Sequence, residues 1–210
     1  METQDHTSES GSSSDEELAR QSQCGSLAAF EELVSRYEGR IYRFVAHSCR
    51  GAMDAREVTQ ETFVRAFQAI AQFDPARPFA AWLFSIARRK CIDHFRASTH
   101  RTDDREPEAP APDDPAESLA RREDRQSLWL LARECLPETQ FQALRLRYAE
   151  EMSVEEIARV LGKTRTHVKV LLFRAREALG CELKRERAAA ASRPQDQWPR
   201  LSLIDGKQFL

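Results

Sequence analysis

Residues 99–118 read THRTDDREPEAPAPDDPAES, with prolines at 107, 110, 112 and 115 set among acids. No helix or strand runs through such a stretch, because proline removes backbone donors and the acids repel one another. The chain therefore divides into two halves, residues 24–97 and residues 119–187, joined by a flexible acidic linker over 98–118. Each half has to bury its own apolar face in about seventy residues, which favours a few short helices over a large sheet.

Both halves carry helical spacing. Leu27, Phe30, Leu33, Val34, Tyr37, Ile41, Phe44 and Val45 recur every three or four residues. Asp54 with Glu57 resembles a capping box, and Val58, Phe63, Phe67 and Ile70 would line the buried face of the helix it starts. The prolines of FDPARPF (73–79) break that helix, and the next one resumes at Ala80 with Trp82, Leu83, Ile86 and Phe95 on its apolar side. In the second half, Leu128, Leu131 and Cys135 belong to one helix, and Pro137 opens another that carries Phe141, Leu144 and Tyr148. The expected fold is all-α, two small helical domains.

The remaining segments are polar or unassigned. METQDHTSESGSSSDEE has no Lys or Arg and little apolar surface, so residues 1–23 are expected to be a disordered tail. Residues 188–210 form an extension of unassigned role, although LSLIDGKQFL at its end is apolar for a tail. No run is long enough for a membrane span and no signal peptide is visible, which points to a cytoplasmic protein without membrane insertion. The five scattered cysteines form no CxxC pair, so neither a metal site nor a disulfide framework is expected. The histidines lie apart, no catalytic constellation is visible, and no cofactor is called for.

Charge is more informative by position than in sum, since the net charge is only −2. SVEEIARVLGKTRTHVKVLLFRAR (153–176) places a capping box (Ser153 with Glu156), a Gly162 stop and a Thr164 cap ahead of a basic helix. If Val168, Leu171, Leu172, Ala175 and Leu179 face inward, then Arg165, Thr166, Lys169, Phe173, Arg174 and Arg176 point partly or wholly outward. A helix of this kind fits the major groove, where Arg and Lys meet phosphates or guanine edges. A solvated basic face is the plainer reading of the charges alone.

The first half decides the class. DAREVTQETFVRAFQAIAQFDPARPFAAWLFSIARRKCIDHFR closely resembles the region-2 domain of bacterial RNA polymerase sigma factors of the extracytoplasmic-function type, and LPETQFQALRLRYAEEMSVEEIARVLGKTRTHVKVLLFRAREAL resembles their region 4. The resemblance covers about residues 24–185, with both motifs in the family's order. It implies a transcription initiation factor whose partners are core RNA polymerase and promoter DNA, monomeric when free. Such factors are commonly held by an anti-sigma protein, which makes one a candidate partner.

Carried over by position, the resemblance assigns polymerase docking to Glu57, Gln60, Glu61 and Arg65, and the −10 element to Phe73, Arg77, Arg88, Arg89 and Lys90. Phe73 either walls a base pocket or packs in the core; Trp82 reads as core. The −35 element falls to Arg165, Thr166, His167, Lys169, Val170, Phe173, Arg174 and Arg176. Arg89 stands where the family usually has Asn, and Val170 and Leu171 where it commonly has Ser and Arg. Arg only donates hydrogen bonds, and Val170 can meet a thymine methyl but cannot hydrogen-bond. The acidic linker is expected to mimic phosphate in a channel built for nucleic acid. The alternatives are a stand-alone helix-turn-helix regulator and a helical signalling adaptor.

Overall fold

The computed structural model describes residues 13–49, 51–98 and 119–191. Among them every regular element is helical. The first half contains α1 (Asp15–Gln23), α2 (Leu27–Val45), α3 (Ala52–Ala69), a 3-10 turn (Ile70–Gln72) and α4 (Phe79–Ser98). The second contains α5 (Leu119–Cys135), α6 (Glu138–Tyr148), α7 (Val154–Leu161) and α8 (Arg165–Ala191). The linker 99–118, the first twelve residues and the segment LSLIDGKQFL lie outside the described residues.

The expected tail is partly wrong. Ser14 caps α1 by accepting the Glu17 N–H, and three acids in its first turn suit the positive end of the helix. Leu18 and Ala19 are buried against the first half. Asp15 accepts hydrogen bonds from Tyr37 and Arg36, and Glu16 accepts the Phe79 N–H at 3.0 Å. Gln23 donates to the carbonyls of Ile70 and Phe73 at 2.9 and 2.7 Å. The acids that made this stretch look unfoldable are the groups that fasten it. Burial and the Asp15 carboxylate push the Tyr37 phenol well above its ordinary range.

Smaller expectations also shift. α3 starts at Ala52 behind an extended Gly51 with no side-chain cap, so Asp54 and Glu57 form no capping box. Asp54 instead sits 3.5 Å from His94 on α4. Pro137 does open α6, from its cap position. α8 runs on to Ala191, so residues 188–191 of the expected extension belong to the helix. Phe67, Phe95 and Tyr148 are each about half exposed instead of buried. Of the five thiols, Cys49 and Cys91 are buried and Cys24 and Cys181 exposed. A side-chain contact with Cys49, reinforced by burial, pushes the Cys91 thiol up, so it stays protonated.

The two halves are packed together. α7 lies against α4, and one buried cluster runs from Phe44, Phe84 and Cys91 in the first half to Leu146, Ile157 and Leu161 in the second. Polar contacts border this seam. Arg40 of α2 pairs with Glu150 at 2.8 Å, and Ser48 donates to Glu138, which also accepts from Gln142. The His47 ring stacks on Phe141 with centroids 3.8 Å apart. Burial, then the charges of Arg133 and Arg145, lower its pKa to about 4. A second, smaller cluster (Ala132, Leu136, Phe141, Leu144, Ala175, Leu179) holds α5 and α6 to α8.

Candidate promoter and polymerase interfaces

α7 and α8 form a helix-turn-helix whose corner is fixed by local chemistry. Ser153 accepts the Glu156 N–H while the Glu156 side chain accepts the Ser153 N–H, a complete capping box. Gly162 ends α7 in the left-handed region (φ 58, ψ 38), and the following Lys163 N–H donates to the Ala158 carbonyl at 2.9 Å. Thr164 accepts the His167 N–H at 3.2 Å and starts α8. Val168, Leu171, Leu172, Ala175 and Leu179 are all buried.

That inward stripe fixes what remains outside. Arg165, Thr166, His167, Lys169, Val170, Phe173, Arg174 and Arg176 are all exposed. At about 100° per residue, Thr166, Val170 and Phe173 occupy the middle of the outward face, with Arg165, Lys169 and Arg176 along one edge and His167 and Arg174 along the other. Arg165 stands 3.6 Å from Glu155, both well exposed, a pair too solvated to hold the guanidinium back from another anion. Arg176 donates from Nε to the Leu172 carbonyl, which turns its side chain back along the helix.

In the first half, Glu57, Gln60, Glu61 and Arg65 are exposed along α3 and, with Lys90 of α4, border a hollow of about 460 Å³. Lys90 pairs with Glu61 at 3.0 Å, so a residue that the resemblance groups with the −10 set borders the same hollow as Glu57, Gln60 and Arg65. Sequence reasoning missed the neighbouring apolar groove of about 860 Å³ between α2 and α3, walled by Leu27, Phe30, Val34, Val64 and Phe67. Phe67 stands edge-on to Phe30, centroids 5.0 Å apart, and keeps its other side open. The available signal was Val64 and Phe67, three apart and adjoining the polar docking residues.

Between the two readings of Phe73 the structure favours packing. Its ring is 4% exposed and wedged against Phe79 and Trp82, with centroids 5.5 and 5.2 Å away. No face is open for a base. Arg77 is exposed in the same loop and pairs with Asp74 at 3.1 Å. Arg89 is exposed on α4, whereas Arg88 is half-buried and its Nε finds no hydrogen-bond partner among the described residues. The basic groups of the −10 set are thus not one patch. Arg77 and Arg89 face solvent, and Lys90 leans on Glu61.

Comparison with known proteins identifies the pieces. Residues 33–101 match the sigma-70 region 2 family and residues 129–179 match sigma-70 region 4. CnrH of Cupriavidus metallidurans, solved in complex with the cytosolic domain of CnrY, is 30% identical, with 81% of this chain and 97% of that chain aligned and a TM-score of 0.59. The chain belongs to the sigma-70 family of RNA polymerase sigma factors. Within that family several of its relatives are of the extracytoplasmic-function type. It is 34% identical to the sigma factor BldN of Streptomyces coelicolor over 76% of this chain and 62% of BldN, so it spans less than two thirds of that relative. It is 29% identical to the sigma-H factor of Pseudomonas aeruginosa over 79% of this chain and 91% of that one. Among the described residues of this sigma factor no helix is long and apolar enough to cross a membrane.

Proposed function

We propose that this sigma factor binds core RNA polymerase through region 2 and directs it to promoters whose −35 element is read by α8. The observation that carries the proposal is the outward face of α8. Thr166, Val170 and Phe173 form one exposed stripe, edged by Lys169 and Arg174, on a helix whose opposite side is buried from Val168 to Leu179, preceded by a capped turn of fixed geometry. A helix-turn-helix presents the start of its second helix to base edges in this way. Glu57, Gln60, Glu61 and Arg65 dock on polymerase, with the apolar groove beside them taking an amphipathic element of the same partner.

Arg77 and Arg89 hold the strand phosphates near the −10 element, and Phe73 supports that loop from below rather than stacking on a base. Phosphate contacts by Arg165, Lys169, Arg174 and Arg176 give a binding slope against log salt of about −0.9 per contact. Selectivity comes from linking two weak readers. The chain is a cytoplasmic specificity subunit without a reaction of its own, and an anti-sigma protein is a further candidate partner. A stand-alone regulator would have no use for the region-2 match over residues 33–101.

The test is co-migration with sigma-free core RNA polymerase on a sizing column at moderate salt. A stoichiometric complex that competes with the housekeeping sigma factor is the expected result. A folded chain that forms no such complex would remove the polymerase assignment.

A further inference from the structure

With α8 as the −35 reader, the reading on which this inference rests, the composition of its outward stripe limits what it can recognise. Val170 is 42% and Phe173 59% exposed in the middle of that stripe. Both belong to the described part of α8, and neither joins a buried cluster; Val168, Leu171 and Leu172 fill the inward side. Leu171 is 8% exposed, so of the two positions where the family commonly has polar residues only Val170 faces outward. Valine has no donor or acceptor to offer a base edge. The apolar group that a base pair presents in the major groove is the C5 methyl of thymine.

We propose that Val170 and Phe173 read thymine methyls on neighbouring base pairs, so that the −35 element of this sigma factor carries two adjacent thymine-bearing pairs. Three residues advance about 4.5 Å along a helix and turn by about 60°, which keeps both side chains on one groove-facing ridge. With the helix lying along the groove, that advance spans little more than one 3.4 Å step of B-DNA, within reach of two neighbouring pairs. Lys169 and Arg174 flank the apolar pair and supply the charge that phosphates or guanine edges need. Specificity at this site is therefore split, with methyl recognition at the centre and charge at the sides.

The experiment uses the full chain assembled with core RNA polymerase and a duplex library randomised across the promoter length. The library is amplified once with dTTP and once with dUTP, which lacks the methyl. In the thymine pool two adjacent thymine-bearing pairs are expected among the enriched −35 sequences. In the uracil pool those positions lose about fourfold in preference per methyl, while guanine-bearing positions keep theirs. Val170→Ser, at an exposed position that folding does not need, is expected to erase the thymine preference at one of the two pairs only.

Equal enrichment of thymine and uracil, or unchanged preferences in Val170→Ser, overturns methyl reading and leaves α8 as the −35 reader. Absence of any enriched −35 sequence in either pool overturns that assignment of α8 and this inference with it.

Discussion

Arg40 Nε stands 2.8 Å from Glu150 Oε2, and the Glu150 side chain is only 2% exposed while that of Arg40 is 33% exposed. The pair ties α2 to the turn after α6, across 110 positions of sequence. Its two members are unequally placed. Arg40 also lies over the Tyr37 ring, 4.5 Å from its centroid, and reaches water. Arg40→Ala strands a buried carboxylate and is expected to cost about 3–5 kcal/mol, the usual result of removing one partner of a buried pair. Glu150→Ala leaves a cation with water and a ring to hand and should cost less. Urea denaturation of both variants checks the order; equal losses would mean that Glu150 is hydrated in solution.

His47 makes the seam sensitive to acid. Its pKa of about 4 in the fold lies below the ordinary 6.5, because burial and the neighbouring Arg133 and Arg145 disfavour the charged ring. Between those two values the unfolded chain binds a proton that the folded chain refuses. Stability from this group is therefore complete above about pH 6.5 and falls as pH drops toward 4, by about 2 kcal/mol with allowance for residual exposure. His47→Phe keeps a ring to stack on Phe141 and should flatten the loss between pH 7 and 5. Parallel pH profiles of melting temperature in the two proteins would test it.

Deleting residues 1–23 should weaken the first half. The cut removes Leu18, whose burial contributes about 1.5–3 kcal/mol, and the Asp15, Glu16 and Gln23 hydrogen bonds. The expected loss is about 2–4 kcal/mol, read as a lower denaturation midpoint. An unchanged midpoint would show that α1 does not hold its place in solution.

Gly162→Ala should cost about 1 kcal/mol and Gly162→Asn less. A Cβ there meets nothing within 4 Å, so the left-handed φ of 58° is the sole source of strain, and Asn tolerates that region better than Ala. Thermal melts of the two variants give the ranking, and a loss from Asn as large as from Ala would contradict it.

The helix-turn-helix was legible because its determinants are local. Ser153 with Glu156, Gly162 and Thr164 each act within four residues. The seam was not legible, since Arg40, Ser48, Glu138 and Glu150 look in sequence like ordinary solvated residues and acquire meaning only when two distant helices meet. α1 was misread for a related reason: Asp15 and Glu16 suit a disordered tail until Arg36, Tyr37 and the Phe79 N–H are brought to them. Phe67, expected on the buried face of α3, is half exposed, and of the two readings of Phe73 the structure favours the packed one. Periodicity does not show the 3-10 turn at Ile70–Gln72, which redirects the chain so that Phe73 enters the core. In the candidate site, the inward stripe of α8 stands where periodicity put it, whereas the contact of Lys90 with Glu61 spans 29 positions and leaves no local signal.

The buried cluster shared by α4 and α7 carries a thermodynamic consequence. Elements numbered −35 and −10 lie about 85 Å apart on B-DNA, so two readers in contact cannot occupy both. Binding both elements at once therefore draws on molecules in which the halves have separated. Any affinity measured for the promoter is the intrinsic one multiplied by that open fraction, and a partner that prefers the separated form raises it without touching DNA. Substitutions along the seam would thus tune transcription from positions that contact neither polymerase nor promoter.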